Sequence, residues 1–427
     1  MSTLFSHLRR KPIGLLSLLL QIPLLTLAAP SGHSIAVRLA VEEPRLIGAL
    51  YFTTNDPSGN AIVAGQLQSN GSVIFSNITI YPTQGNGSHV KSTDPHSPDA
   101  LRSQGAIAVS KSAQVLATVN AGSNTVSLFN ISDPSAPWNI SLINQPVGSF
   151  GGFPLSITFN KMGNLAYVLN GGATNGVTCY NVSKESGLIP IAGSDRKISN
   201  VSQTDPPTTA KGMPNQLVLT EDETKLFVSV SGVSEDDPGF ITGWLIDADG
   251  LLSDVIPPMY PAAPGYSPSS FAEVPKTNAL IVTDHTFGLE VFNLTAASDP
   301  NSCGPAIPGA MANTNVSRLS FSERTGNFHL IDSKNRDVIE ITVNYTLNTT
   351  VMNSSRLCKS CTPLDSNIAD LNGTEYLYVL DAKNTAVIAV QLLNPGNATV
   401  IGSYNASGLP TNSGNIQGLA SFISRSS

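Results

Sequence analysis

Residues 104–130, QGAIAVSKSAQVLATVNAGSNTVSLFN, contain three apolar runs of strand length. The runs span residues 106–109, 115–119 and 125–129. A polar Ser-Lys-Ser break separates the first two runs, and a turn around Gly122 separates the last two. Asn and Gly favour tight turns, and short β-rich runs joined by such turns are typical of antiparallel meanders. The stretch therefore predicts three adjacent antiparallel strands.

The same unit recurs along the chain at intervals of about 50 to 60 residues, which is typical of propeller blades. Its first strand can be aligned six times, as SQGAIAVS from Ser103, FPLSITFN from Phe153, MPNQLVLT from Met213, SPSSFAEV from Ser267, NVSRLSFS from Asn315 and LDSNIADL from Leu364. A second and a third apolar run follow each time, and a looser fourth segment comes next. Frequent Gly (35) and Pro (29) and the lack of long helix-period segments favour an all-β fold.

A seventh unit is divided between the two ends of the chain. Residues 50–54, 62–67 and 72–80 match the second, third and fourth strands, but no first strand precedes them. Residues 415–422, NIQGLASF, match a first strand, and nothing follows it. Closure of a ring explains both observations, because the last strand then completes the first sheet and removes exposed edges. We predict a seven-bladed β-propeller, closed by the C-terminal strand pairing into the N-terminal blade, as a single domain over residues 29–427.

The first 28 residues are typical of a secretory signal peptide. Arg9, Arg10 and Lys11 form a basic start, residues 13–27 form a short apolar run, and Ala28 is followed by a second alanine. We expect cleavage after residue 28 or 29. No later apolar run is long enough to span a bilayer, so we expect no membrane span in the mature chain and a secreted, extracellular protein.

The chain carries many Asn-X-Ser/Thr sequons, the acceptor motif for N-linked glycans. They lie at Asn70, Asn77, Asn86, Asn130, Asn139, Asn181, Asn200, Asn293, Asn315, Asn344, Asn348, Asn353, Asn372, Asn397 and Asn405. One sequon is weak evidence, but so many behind a signal peptide predict a heavily glycosylated protein. Glycans also keep a weakly charged surface soluble.

Charge and cysteine content exclude some function classes. Charged residues make up 12% of the 427 residues and the formal net charge is −7, which argues against a nucleic-acid surface. The spacing of Cys358 and Cys361 suits a redox pair, a metal site or a structural disulfide. No second pair completes a zinc site. Cys179 lies in an apolar strand, which is typical of a buried free thiol. The disulfide pairing of the four cysteines, including Cys303, stays open.

Several phrases resemble the lactonase and carboxymuconate-cyclase-like seven-bladed propellers, especially secreted fungal and bacterial members. They are SQGAIAVS, TVNAGSNTVSLF, PLDSNIADLNGTEYLYVLDAKNTAVIAVQL and the closing GLASF. The resemblance covers nearly all of the mature chain and implies the propeller fold. It is weaker for the reaction, because lactone hydrolysis, cyclisation and plain binding all occur on this fold.

Two rows of polar residues are candidates for a ligand site, because first strands line the channel of a propeller. The first row enters the first strands, at Gln104, Asn215, Gln216, Ser269, Ser270, Arg318, Asn367 and Gln417. The second row ends the second strands, at Asn55, Asn120, Asn170, Ser231, Asp284, Asp332 and Asp381. Asn and Asp at strand ends also hydrogen-bond the turn that follows, and this alternative stays open for the second row.

His285 and Arg318 are the catalytic candidates. His285 is adjacent to Asp284, and a histidine titrates near neutral pH, so it can act as a general acid or base. The alternative is a solvated turn histidine. A carboxymuconate cyclase needs several cations for its carboxylates, whereas the rows offer only Arg318, with Arg102 and Lys211 in the entering loops. An amide-rich, weakly charged mouth predicts a neutral, partly aromatic organic ligand.

The sequence contains no nucleophile elbow, zinc signature, phosphate loop or dinucleotide fingerprint, and we expect neither a cofactor nor a metal. Our first hypothesis is an enzyme that cyclises or isomerises a small molecule, such as a pericyclic, hetero-Diels–Alder-type step of fungal secondary metabolism. The second is a lactonase or a carboxymuconate-cyclase-like cycloisomerase. The third is a non-catalytic secreted or wall-associated binding glycoprotein.

Overall fold

The computed structural model describes residues 43–91, 98–295, 307–308, 316–406, 408–409 and 413–424. Their 29 strands form seven antiparallel sheets, six with four strands and one with five. The predicted signal peptide, its cleavage site and Asn315 lie outside the described residues. No helix among these residues is long and apolar enough to cross a membrane.

Each sheet is one blade, and the strand bounds follow the predicted repeat. Blade 1 contains β1 (Leu46–Thr53), β2 (Ala61–Gln68), β3 (Val73–Pro82) and β29 (Gln417–Ile423). Blade 2 contains β4 (Ile107–Ser110), β5 (Val115–Asn120), β6 (Thr125–Asn130), β7 (Ser141–Leu142) and β8 (Val147–Gly148). Blade 3 contains β9 (Pro154–Phe159), β10 (Leu165–Gly171), β11 (Asn175–Ser183) and β12 (Gly187–Pro190).

The remaining four blades repeat the meander. Blade 4 contains β13 (Pro214–Leu219), β14 (Lys225–Val230), β15 (Phe240–Ile246) and β16 (Leu252–Met259). Blade 5 contains β17 (Pro268–Glu273), β18 (Ala279–Asp284), β19 (Gly288–Asn293) and β20 (Ile307–Pro308). Blade 6 contains β21 (Val316–Ser322), β22 (Asn327–Asp332), β23 (Asp337–Val343) and β24 (Thr349–Arg356). Blade 7 contains β25 (Pro363–Leu371), β26 (Thr374–Asp381), β27 (Ala386–Asn394) and β28 (Asn397–Asn405), and a 3₁₀ turn (Ser413–Asn415) precedes β29.

The last strand closes the ring as predicted. Strand β29 pairs antiparallel with β1, with Leu50 opposite Ser421 and Tyr51 opposite Ala420. Phe422 belongs to the apolar cluster between blades 1 and 2, where Tyr51 and Phe129 also pack. The all-β, seven-bladed prediction is confirmed, and so is the divided blade.

Apolar side chains fill the interfaces between neighbouring blades. Strands in the middle of a blade are covered on both faces, so β18 and β22 are buried along their whole length. Outer strands are half exposed, as in β24 and β28. The core is thus a set of inter-blade layers, and each layer depends on two sheets holding their relative position.

The meander gives the propeller two faces that differ in their connections. The upper face holds the turns from second to third strands and the connections between blades. The lower face holds the turns from first to second strands and from third to outer strands. In blade 7, residues 382–385 lie on the upper face, whereas residues 372–373 and 395–396 lie on the lower face.

The structure also settles one cysteine pair. Cys358 and Cys361 form a disulfide in the connection that enters blade 7, which agrees with the structural-disulfide alternative. Cys179 is a buried free thiol on β11, and burial raises the pKa of this thiol to about 11. Cys303 lies outside the described residues.

Truncation of Phe422 tests the closing strand. This ring is 4% exposed, so we expect Phe422→Ala to lower the free energy of unfolding by about 3–5 kcal/mol. Phe150→Ala is the control, because this phenylalanine is 62% exposed and its loss should change stability by about 0.5 kcal/mol or less. Denaturant unfolding measures both values. Equal, small effects would show that ring closure does not depend on this contact.

Candidate functional site

A cavity of about 410 Å³ opens on the upper face of the propeller; we call it the mouth cavity. Connections from blades 2, 4, 5, 6 and 7 contribute to its wall. Its polar lining consists of Asp99, Arg102, Lys211, Asn215, Ser231, Ser267, His285, Ser333 and Thr362. Pro98, Ala210, Pro363 and Leu364 supply apolar surface. A concave site with a few polar groups among apolar ones is suited to a small ligand.

Three basic side chains converge on the mouth cavity, which differs from the weakly charged mouth that we expected. Arg102, Lys211 and His285 all line it, and all three are exposed. Asp99 is the one carboxylate among these lining residues, and its charge is opposed by Arg318 at 2.9 Å. The mouth therefore presents cationic groups in a chain whose formal net charge is −7.

The catalytic candidate Arg318 is buried at the centre of an ion-pair cluster. Its guanidinium contacts Asp99 and Asp365 at 2.9 Å each, and donates to the carbonyl oxygen of Ser103 at 2.8 Å. Burial opposes this charge, but the two carboxylates outweigh that effect and raise the pKa of Arg318. We call these four residues the Arg318 cluster. The positive charge of Arg318 is thus paired with carboxylates inside the channel wall.

A second cavity, of about 420 Å³, is lined by first strands and occupies the central channel. Three predicted ligand residues line this channel cavity: Gln104, Gln216 and Asn367. Gln104 accepts a hydrogen bond from Ser270 Oγ, and Gln216 Oε1 accepts one from the Phe271 N–H at 2.9 Å. Asn367 Oδ1 is buried and has no hydrogen-bond partner in the described structure. The Arg318 cluster separates the two cavities, because Asp99 lines one and Asp365 the other.

The carboxylates that end second strands hold the turns that follow them. Asp284 accepts from the backbone N–H groups of Ser267 and Thr286, both at 2.7 Å. Asp332 Oδ2 accepts from Asn335 at 2.7 Å, and Asp381 Oδ1 accepts from the Thr362 N–H at 2.9 Å. None of the three carboxylates is among the lining residues of either cavity. For Asp284, Asp332 and Asp381 the structure therefore agrees with the alternative that strand-end carboxylates hydrogen-bond nearby turns.

The other amides of the two rows are spread over different environments. Asn120 hydrogen-bonds Asn60 and Ser127, both at 2.9 Å. Asn170 donates to the Ser149 carbonyl oxygen at 3.1 Å and lines a separate cavity of about 230 Å³. Asn215 hydrogen-bonds Ser231 at 2.8 Å at the mouth, whereas Gln417 is fully buried and donates to the Ile416 carbonyl oxygen at 3.0 Å. Residues of the two rows therefore line three cavities and also hold several turns.

The residues that sequence reasoning did not assign to a site are Arg102 and Lys211 at the mouth and the partners of Arg318. Lys211 lies four residues before Asn215, and Arg102 lies two before Gln104. The sequence signal that could have assigned Arg102 and Lys211 to the site is their position in the loops that enter first strands. Nothing in the sequence pairs Asp99 with Arg318. Within the described ranges, no group of three or more His, Cys, Asp or Glu side chains is placed to hold a metal.

A buried carboxyl group, Glu290, lies beneath the turn that carries His285. Glu290 is 1% exposed, its Oε2 accepts from the Ala262 N–H at 3.3 Å, and its Oε1 has no hydrogen-bond partner among the described residues. Burial, together with the charge of Asp284, raises the pKa of Glu290 to about 8. A side chain at Gly265 would overlap Glu290 Oε1, so this glycine permits the loop to cover the pair.

The comparisons with known proteins agree on the fold. No family model matches this chain, and neither does any curated protein. A putative 6-phosphogluconolactonase from Bacteroides uniformis has a TM-score of 0.62 and 13% identity, over 88% of this chain and 99% of that one. A putative 6-phosphogluconolactonase from Bacteroides fragilis has a TM-score of 0.58 and 15% identity, over 88% and 98%. A periplasmic gluconolactonase from Pseudomonas aeruginosa also has a TM-score of 0.58 and 15% identity, over 89% and 100%.

These neighbours define the class of the fold. The chain shares the propeller fold of these two putative 6-phosphogluconolactonases and this gluconolactonase, along almost the whole length of each neighbour. At such low identity the likeness concerns the fold alone.

Removal of Arg318 tests the cluster in the channel wall. We expect Arg318→Ala to lower the free energy of unfolding by about 3–5 kcal/mol, because the buried Asp365 and the partly buried Asp99 lose their counter-ion. Arg356→Ala is the matched control. This arginine is 59% exposed and pairs with Asp337 at 2.6 Å, so its loss should cost about 1 kcal/mol or less. Equal losses in denaturant unfolding would contradict a structural role of the cluster.

Glu290→Gln tests the raised carboxyl pKa. Since the folded-state pKa of Glu290 (about 8) lies above its ordinary value of 4.5, the unfolded chain releases this proton first as the pH rises. Glu290 therefore destabilises the fold progressively between pH 4.5 and 8. The stability of Glu290→Gln relative to the wild type should increase across this window, by at most about 1.4 kcal/mol per pH unit.

Unfolding free energies at pH 4, 6 and 8 measure this difference. The exposed Glu221→Gln is the control, and its difference from the wild type should not change with pH in this way. A constant difference for Glu290→Gln would refute the raised pKa.

Proposed function

We propose that this protein is a secreted, lactonase-like hydrolase that opens a cyclic ester carrying an anionic group. The observation that carries the proposal is the convergence of Arg102, Lys211 and His285 on one small-molecule cavity. Cationic side chains favour a ligand with a carboxylate or phosphate, and a histidine beside them supplies a group for proton transfer. The fold shared with a gluconolactonase and with putative 6-phosphogluconolactonases supports the same reaction class.

The proposed reaction needs one base and one site for developing negative charge. The His285 imidazole accepts a proton from a water molecule while the water oxygen attacks the ester carbonyl carbon. The cationic groups of Lys211 and Arg102 stabilise the oxyanion of the tetrahedral intermediate and hold the anionic group of the substrate. The ring C–O bond then breaks, and the imidazolium returns its proton to the leaving alkoxide. The product is an open-chain hydroxy acid.

The channel cavity favours a second candidate, a cyclase or isomerase for a neutral organic molecule. Its lining combines the amides of Gln104, Gln216 and Asn367 with apolar residues that include Phe321 and Ile368. Such a surface orients an apolar ligand and offers hydrogen bonds without charge, as a pericyclic step of fungal secondary metabolism requires. Among the described residues that line it, the only charged one is Asp365, which is paired with Arg318 at 2.9 Å.

Turnover by variants of the two cavities separates the candidates. Purified protein is incubated with phosphorylated, carboxylated and neutral lactones and with reactive polyenes and quinone methides, and products are quantified by chromatography. We expect turnover of the anionic lactones. His285→Ala should lower kcat by about 10²–10⁴-fold, because it removes the proton-transferring group. Lys211→Ala should raise KM for an anionic lactone by about tenfold, which corresponds to about 1.4 kcal/mol of binding energy.

The matched controls lie outside the mouth. Lys111→Ala removes an exposed lysine from the lower face and should leave kcat and KM unchanged. Asn367→Ala changes the channel cavity and should not affect lactone turnover. If Asn367→Ala abolishes conversion of a polyene and the mouth variants do not, the second candidate replaces the first. If no compound is converted, the protein is a binding glycoprotein, and neither enzyme proposal holds.

A further inference from the structure

The sequons are distributed unequally between the two faces of the propeller. Nine of the fifteen lie at or beside the turns of the lower face: Asn70, Asn130, Asn139, Asn181, Asn293, Asn344, Asn348, Asn372 and Asn397. They come from every blade except blade 4. Asn86, Asn200 and Asn405 lie on the upper face, and Asn77 and Asn353 lie within outer strands. Asn315 lies outside the described residues.

The length of the connections does not explain this bias. The upper face carries the longer connections, such as residues 191–213, and so offers more positions for a sequon. None of the seven turns from second to third strands contains one; they span residues 54–60, 121–124, 172–174, 231–239, 285–287, 333–336 and 382–385. Three of those turns supply Ser231, His285 and Ser333 to the mouth cavity. We propose that N-glycans coat the lower face and leave the mouth of the propeller accessible.

The local geometry of the lower-face sequons favours modification. Asn70 Oδ1 accepts hydrogen bonds from the backbone N–H and the hydroxyl of Ser72, at 3.1 and 2.7 Å. Asn344 Oδ1 does the same with Thr346, at 3.0 and 2.8 Å. These bonds hold the amide oxygen against the turn. Both asparagines are exposed, and neither Nδ2 donates a hydrogen bond within the described structure, so the nitrogen that a glycan would occupy faces solvent.

Asn353 is an internal control with the opposite geometry. It lies in the outer strand β24 and is half-buried. Its Nδ2 donates to the Gly396 carbonyl oxygen at 3.0 Å and also to Ser355 Oγ at 3.3 Å. Gly396 in turn donates its N–H to Glu340 Oε2 at 3.0 Å. A glycan on Asn353 would replace one of the two Nδ2 hydrogens and so remove one of these bonds at the contact between blades 6 and 7, so this sequon should stay unmodified.

Glycans on one face have two consequences for the molecule. Only 12% of the residues are charged, so bulky hydrophilic groups add solubility that the protein surface supplies weakly. They also block association through the lower face, and the upper face remains the side from which a ligand or a partner protein approaches. The inference rests on the proposed secretion, because N-glycans are added in the secretory pathway.

Site-by-site occupancy tests the proposal. The full chain is expressed in a eukaryotic secretory host with the chain's native first 28 residues. In parallel it is expressed with a heterologous signal peptide (the borrowed leader) in their place. The purified glycoprotein is digested and deglycosylated enzymatically in ¹⁸O-water, so that each modified asparagine becomes a labelled aspartate in mass spectrometry. We expect high occupancy at Asn70, Asn344, Asn372 and Asn397, and none at Asn353. Deglycosylation should change kcat and KM by less than twofold and should lower solubility.

The outcomes distinguish the inference from the secretion on which it rests. Modification with the borrowed leader alone would refute native secretion and still support the facial distribution. Asn353 modified as fully as Asn344, or occupancy concentrated at Asn86, Asn200 and Asn405, would overturn the inference. An absence of glycan with both leaders would refute both proposals. A large rise in kcat/KM after deglycosylation would show that glycans cover the mouth, which contradicts the proposed distribution.

Discussion

The pairing of β29 with β1 is the constraint on which the rest of the structure depends. It joins the two ends of the chain, so that each blade has a neighbour on both sides and each inter-blade apolar layer is complete. The same strand contributes Leu419 to the channel cavity, and the Gly418 N–H donates to Asp365 Oδ2 at 2.5 Å. Closure therefore does more than remove edges, because it places a backbone donor on the carboxylate that holds Arg318. The closing strand thus completes the wall of the channel cavity.

The Arg318 cluster shows how a charge in a channel can be structural. A buried ion pair contributes little net stability relative to apolar packing, because both charges lose their hydration. It does impose a single arrangement, since moving any one member leaves the others uncompensated. Here that arrangement links the connection into blade 2, through Asp99 and Ser103, to first strands of blades 6 and 7. The cluster thus contributes to the floor of the mouth cavity through Asp99, and Arg102, Lys211 and His285 line the cavity.

The fold could be read from the sequence because its strands repeat, and the alignment from Ser103 to Leu364 placed every first strand within a few residues of its observed bounds. The site could not, because its contacts join distant positions. Arg318 and Asp99 are 219 residues apart, and their pairing has no local signature. The structure places Asn215 at one cavity and Gln104 and Gln216 at the other, although all three enter first strands. His285, which follows a second strand, lines the same cavity as Asn215. Blade-to-blade connections of unequal length break this equivalence, and the raised pKa of Glu290 follows from the loop that covers it.

The local charge of the mouth carries more information about a ligand than the net charge of the chain. A formal charge of −7 repels anions at long range, but ions screen that field beyond about 8–10 Å at physiological ionic strength. Within that distance an approaching molecule interacts mainly with the charges at the rim of the mouth cavity, where Arg102, Lys211 and His285 lie. Asp99 lines the same cavity and forms an ion pair with the buried Arg318. The buried guanidinium therefore acts on a ligand indirectly. It offsets part of the charge of Asp99, because it is shared with Asp365, and so it weakens the carboxylate field that opposes Arg102 and Lys211 at the rim.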